Sequence, residues 1–241
     1  MMQSLSLKAC LGLALPLFLL VSTPASAQVF DNNLVQRLAG AAPGIDRQVL
    51  SKAVRAAHCA VSSGVKEPAR LAVIDFSLPS NRKRMWIFDI RSGELLLKDL
   101  VAHGKASGMT RSTSFSNVEG SHKSSLGLFR ASETYYGKHG YSLRLDGLER
   151  GVNDQARDRA IVIHGAGYVS ERWVQKYGRI GRSFGCPAVD NKVIEEVVDD
   201  LKGGQLVFKY YPDQDWLQTS EFLHCDDSRM ASSSTGDGSQ S

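Results

Sequence analysis

The stretch "IHGAGYVSERWVQKYGRIGRSFGCPAVD", residues 163–190, decides how this chain is read. It opens on His164, at the end of the apolar run "AIVIHG", and closes on "GRSFGCPAVD", where two nucleophiles stand three positions apart. Ser183 sits in a G-x-S-x-G frame. A serine elbow of that kind crowns a sharp turn between a buried strand and a helix. Upstream, "YGRIGR" lacks the β-branched residues of such a strand, and Pro187 withholds a backbone donor where the first helical turn would close. Cys186 needs less, because a thiolate is intrinsically nucleophilic and a neighbouring base is enough to activate it. His164 offers that base from a strand terminus, a rigid position, and Gly165 beside it has no side chain to obstruct approach. Gly185 frees the backbone next to the sulfur, so that N–H groups can converge on an oxyanion. The residues therefore point to acyl transfer by a thiol.

Working outward, the pattern is mostly period two. Ala72, Ile74, Phe76 and Leu78 alternate with polar or outward positions, and "MWIFDI" and "LLLKDLVAHG" follow after short polar turns, which predicts an antiparallel meander. "LGLFRASETY", "YSLRLDG", "AIVIHG" and "QLVFKYY" are further strands, so a mainly β core is expected. Helices are expected at 45–61, where Ile45, Val49, Ala53, Ala57 and Val61 recur at four-residue spacing, at 170–177 with Ser170 as cap, and at 190–202, ended by Gly203. The polar run 104–121 is too long and too rich in Ser, Thr and Gly for core, and reads as a loop able to cover a cleft.

The ends carry other information. Residues 1–27 place Lys8 before an apolar run and finish on Ala25-Ser26-Ala27, the pattern of a cleaved secretory leader, and the run is too short to span a membrane. An exported, periplasmic location and no membrane span after leader removal are the expectations. Residues 28–69 then form an N-terminal helical segment, 70–225 a single catalytic domain and 226–241 a disordered tail. A formal net charge of +4 is too weak and too dispersed for a nucleic-acid partner. Beyond the leader stand Cys59, Cys186 and Cys225. In an oxidising compartment two of three pair, and the expected partition ties Cys59 to Cys225 and leaves Cys186 free. Zinc ligands are conceivable among Cys186, His164, His103, His224 and Cys225, but no C-x-x-C or H-x-x-x-H spacing nucleates such a site.

Residues 163–190, together with "VAHGKASG", "SSLGLFR" and "HGYSLRLDGLERGVND", resemble the YkuD-type L,D-transpeptidases, in particular the divergent branch of murein L,D-transpeptidase catalytic domain proteins whose signature reads S-x-G-C-P-A. The resemblance implies a β-sandwich or barrel core and a thioester on Cys186, formed at the third residue of a peptidoglycan tetrapeptide stem. His164 would be the base, the Gly165 carbonyl would hold its ring, and the N–H groups of Gly185 and Cys186 would stabilise the oxyanion. It implies no metal or organic cofactor. Phe184 stands where the wider family has His, and Pro187-Ala188 replaces a usual partner of the substrate carboxylate. Arg182, Arg179 or Arg144 is then expected to take that contact, with Ser183, Phe184 and His103 lining the groove. An L,D-carboxypeptidase of the same fold and a non-catalytic murein-binding module are the alternatives.

Overall fold

The computed structural model describes residues 29–225; the leader expected over 1–27 and the tail expected over 226–241 lie outside the described residues. The fold is mainly β: one eight-stranded sheet, with helices packed against it. Strands β1 (Arg70–Asp75), β2 (Met85–Asp89) and β3 (Leu95–Asp99) form the expected antiparallel meander. Alternation had extended β1 to Leu78, but the strand stops at Asp75, whose carboxylate accepts hydrogen bonds from the amide and hydroxyl of Ser77 and turns the chain.

The second half is a hairpin with additions. Strands β4 (Gly127–Gly137) and β5 (Gly140–Gly147) are joined by the two-residue turn Lys138-His139. Strand β6 (Val162–Gly165) lies antiparallel to β5, and the short β7 (Ala188–Val189) lies parallel to β6, pairing His164 with Ala188. Strand β8 (Leu206–Tyr210) joins the halves, parallel to β1 and antiparallel to β4. The order is therefore β3-β2-β1-β8-β4-β5-β6-β7. Its outer edges meet: Ala102, just beyond β3, bridges Ala188 of β7, and Gly104 bridges Ser183. This near closure into a barrel brings the segment carrying His103 against the loop carrying Cys186.

Helix α2 (Arg47–Ser62) begins where Asp46 accepts from the amides of Gln48 and Val49, and it buries Val49, Leu50, Ala53, Ala56, Ala57 and Ala60. It packs on β1, β4 and β8, with α1 (Leu34–Ala41) against it. Helix α3 (Glu171–Tyr177) has the expected cap, Ser170 accepting from the Trp173 amide, and ends at Gly178 with φ +70°. Helix α4 (Ile194–Leu201) starts later than periodicity suggested, because Asp190 first closes a turn on the Lys192 amide. Helix α1 lies in the segment 28–69 expected to be helical, and α5 (Gln214–Thr219) was not anticipated. They are short, and tertiary contacts hold them: Trp216 of α5 donates to Glu149 at 3.0 Å, and Ser220 donates to the same carboxylate at 2.6 Å. Cys59 on α2 is disulfide-bonded to Cys225. No helix among the described residues is long and apolar enough to cross a membrane.

Candidate active site

Cys186 is the free cysteine of the described residues. It lies in the loop between α3 and β7, set edge-on against the start of β6: the Val162 amide donates to Sγ at 3.4 Å, and Sγ lies 3.7 Å from the Ala160 carbonyl oxygen. Burial pushes the thiol up from its ordinary value; the Val162 amide and the positive charges of Lys209, Arg159 and Lys138 pull the other way. Two non-glycine residues of positive φ, Ala160 at 51° and His122 at 53°, both border this loop. Left-handed backbone at such residues is uncommon and concentrates at functional sites.

The loop is held by its own hydroxyl. Ser183 donates to the Cys186 carbonyl at 2.5 Å and accepts from the Gly185 amide at 3.1 Å. The Gly185 amide, expected to face an oxyanion, is thus engaged in this state, whereas the Cys186 amide has no hydrogen-bond partner among the described residues. Gly185 has φ +127°, and a Cβ there would stand 3.0 Å from the Lys123 carbonyl oxygen, so the position requires glycine. Ser124 braces the loop from the other side, donating to the Gly185 carbonyl at 3.0 Å and accepting from the Gly104 amide at 3.0 Å.

His164, the third residue of β6, is almost fully buried, with Nδ1 2.9 Å from the Gly165 carbonyl oxygen. That acceptor fixes the proton on Nδ1 and leaves the lone pair on Nε2. Burial holds the imidazole below its ordinary value, and the neighbouring His139 and Lys138 add to this. Sequence reasoning missed His139. It occupies the tip of the β4–β5 hairpin and stacks on His164 at 4.4 Å between ring centroids. The two-residue turn between Gly137 and Gly140 was the available signal. Thiol and imidazole make no hydrogen bond to each other among the described residues; the register of β6 and β7 brings their segments together.

The remaining expected residues divide. Phe184 is 67% exposed, with the His122 ring edge-on at 4.8 Å and Lys105 Nζ 4.1 Å above its face. Ser183 contacts the loop. His103 does not line the groove. It is fully buried, accepting from Arg84 at Nδ1 (2.8 Å) and donating from Nε2 towards the Gly108 carbonyl (3.3 Å), and burial, with the Arg84 charge beside it, lowers its pKa to about 4. Its backbone carbonyl accepts from the Ser183 amide at 3.0 Å, so it supports the loop from behind. The three arginines expected at a substrate carboxylate are already committed: Arg182 to the carbonyls of Lys105 and Gly108, Arg179 to that of Ile180, and Arg144 to Glu133. The 104–121 loop is pinned by Asn117, which donates to Asp154 and accepts from the Gln155 amide, and by Arg159, which donates to the Ser116 carbonyl.

A family model described as the L,D-transpeptidase catalytic domain matches residues 41–210. No curated protein matches the chain. Among solved structures, an L,D-transpeptidase from Mycobacterium smegmatis is 14% identical, with 59% of this chain and 59% of that chain covered and a TM-score of 0.37. The LD transpeptidase LdtMt1 in complex with imipenem is 15% identical, with 59% of each chain covered and a TM-score of 0.37. The L,D-transpeptidase (Yku) from Stackebrandtia nassauensis is 13% identical, with 74% of this chain and 89% of that chain covered and a TM-score of 0.37. This chain thus spans 59% of the length of the first two.

Proposed function

Because the chain belongs to the L,D-transpeptidase catalytic domain family, we propose that it is an exported, periplasmic cysteine acyltransferase acting on peptidoglycan stem peptides. The observation that carries this reading is an unpaired Cys186 set against β6, the strand that presents His164 with Nδ1 committed to the Gly165 carbonyl. Cys186 attacks the carbonyl of the third, diamino-acid residue of a tetrapeptide stem. The C–N bond to the terminal D-alanine breaks and a thioester remains. The amine of a neighbouring stem then attacks the thioester, releasing the thiol and completing the cross-link.

The proton route follows from the two shifted groups. A raised thiol and a lowered imidazole are both neutral at rest, so no standing ion pair forms. Nε2 takes the thiol proton as the S–C bond forms and returns it to the departing nitrogen. The Cys186 amide is the donor ready for the oxyanion, and the Gly185 amide joins it once Ser183 Oγ lets go.

Purified protein incubated with disaccharide-tetrapeptides, with products resolved by mass spectrometry, tests the reading. Cross-linked dimers are expected. Trimmed tripeptides without dimers would make it an L,D-carboxypeptidase. The raised thiol and its lack of a hydrogen bond to His164 favour a second reading, a murein-binding module, which predicts bound stem peptide and neither product.

A further inference from the structure

A cleft of about 370 Å³ runs along α3, lined by Gly167, Ser170, Arg172, Trp173, Lys176 and Tyr177. One of its lining residues, Gly167, is three residues beyond His164, the base of the proposed catalytic site. Tyr168 links the two: its side chain packs over Gly181, at the start of the loop that carries Cys186, and its ring stands edge-on to Trp173 at 6.5 Å. Two aromatic rings form the apolar wall, Trp173 and the half-exposed Tyr177, 4.7 Å apart.

The charge of this cleft is one-sided. Arg172 and Lys176 lie four residues apart on α3, on one face of the helix. No carboxylate lines the cleft. Among the described residues neither cation has an ion-pair or hydrogen-bond partner, and Lys176 has only the Tyr177 ring, 5.2 Å from its ammonium. The arginines expected at a substrate carboxylate are held by backbone carbonyls or by Glu133, whereas this pair, like Lys105 over the Phe184 ring, has no carboxylate partner among the described residues. Uncompensated cations next to aromatic faces suit an anionic ligand with an aliphatic body. A neutral sugar would use the rings and leave the charges idle.

We propose that this cleft docks the carboxylate-bearing part of the peptidoglycan stem peptide, Arg172 and Lys176 pairing with its free carboxylates while Trp173 and Tyr177 cover its aliphatic portion. The assignment rests on the stem-peptide reading above. It is tested by calorimetric titration of Cys186→Ala protein, which binds without turnover, with three probes: a disaccharide-tetrapeptide, the same compound with its carboxylates amidated, and chitotetraose. Adding Arg172→Gln and Lys176→Gln together should weaken the tetrapeptide by about fivefold or more, since two rim ion pairs are lost. Amidation should weaken binding to the parent protein equally and leave the two proteins alike. Raised salt should erode the difference. Equal tetrapeptide affinity in both proteins, or indifference to amidation, overturns the proposal, and so does chitotetraose binding as tightly as the tetrapeptide. If the parent protein binds no tetrapeptide at all, the stem-peptide reading itself fails. Unchanged near-ultraviolet circular dichroism and melting temperature in the double variant show that α3 is intact.

Discussion

Removing the Cys59–Cys225 bond by the double substitution Cys59→Ala/Cys225→Ala should lower stability steeply and leave the folded state nearly unaltered. The two residues are 166 positions apart, so the bond closes a loop around nearly the whole described chain. In the chain-entropy account a closed loop of that length restrains the unfolded chain by about 5 kcal/mol at 25 °C. In the folded state the C-terminal segment keeps other anchors: Arg55 donates to the carbonyls of Leu223 and Cys225 at 2.7 and 3.2 Å, and Trp216 and Ser220 stay on Glu149. For a domain of this size, about 5 kcal/mol corresponds to a fall in melting temperature of roughly 10–20 °C. Differential scanning calorimetry of the oxidised wild type and the double variant reads it directly, with circular dichroism to show that the fold is retained. A fall of only a degree or two would refute the reasoning, since it would mean that the unfolded chain is restrained by something other than this bond.

Three further outcomes follow from the site. His164→Gln should lower acyl transfer by about 10²- to 10⁴-fold, the usual worth of a positioned base, while iodoacetamide still alkylates Cys186 at alkaline pH; equal loss of alkylation would point to a collapsed loop instead. Gly185→Ala forces a side chain into positive φ against the Lys123 carbonyl and should cost about 1–3 kcal/mol in thermal stability, with activity lost more steeply than stability. His103 is neutral when folded, with a pKa of about 4 against an ordinary value near 6.5. Between those values the unfolded state binds the proton and the folded state does not, so His103 makes stability fall as pH drops from 6.5 to 4, by up to about 3 kcal/mol. Burial raises Glu149 and Asp75, which act in the opposite sense. The quantity to measure is therefore the difference in pH dependence between wild type and His103→Gln, and a variant that keeps the full acid sensitivity would contradict the assignment.

Much of the frame was legible because it is local. The β1–β3 meander, strands β4 and β5, α2 and the Ser170 cap each follow from residues within a few positions of one another. What was not legible depends on distant pairing. Nothing in "QLVFKYY" says that β8 lies parallel to β1 more than 130 residues earlier in the chain, as Leu71 beside Leu206 shows. The partition of cysteines was readable by counting, whereas the inward turn of His103 depends on Arg84, a buried charge that also donates to the Val101 carbonyl two residues before it. His139 escaped notice because the Gly137–Gly140 turn marks a hairpin tip without showing which ring that tip will meet. The committed state of Arg144, Arg179 and Arg182 is likewise tertiary, and so is the open pair at Arg172 and Lys176.

The central claim is that the sulfur of Cys186 takes an acyl group. Intact-mass measurement after exposure to imipenem, on wild type, Cys186→Ala and Ser183→Ala, tests it most directly. The account predicts a covalent adduct on wild type and on Ser183→Ala, and none on Cys186→Ala. An adduct that survives in Cys186→Ala, or one that vanishes only in Ser183→Ala, would contradict it.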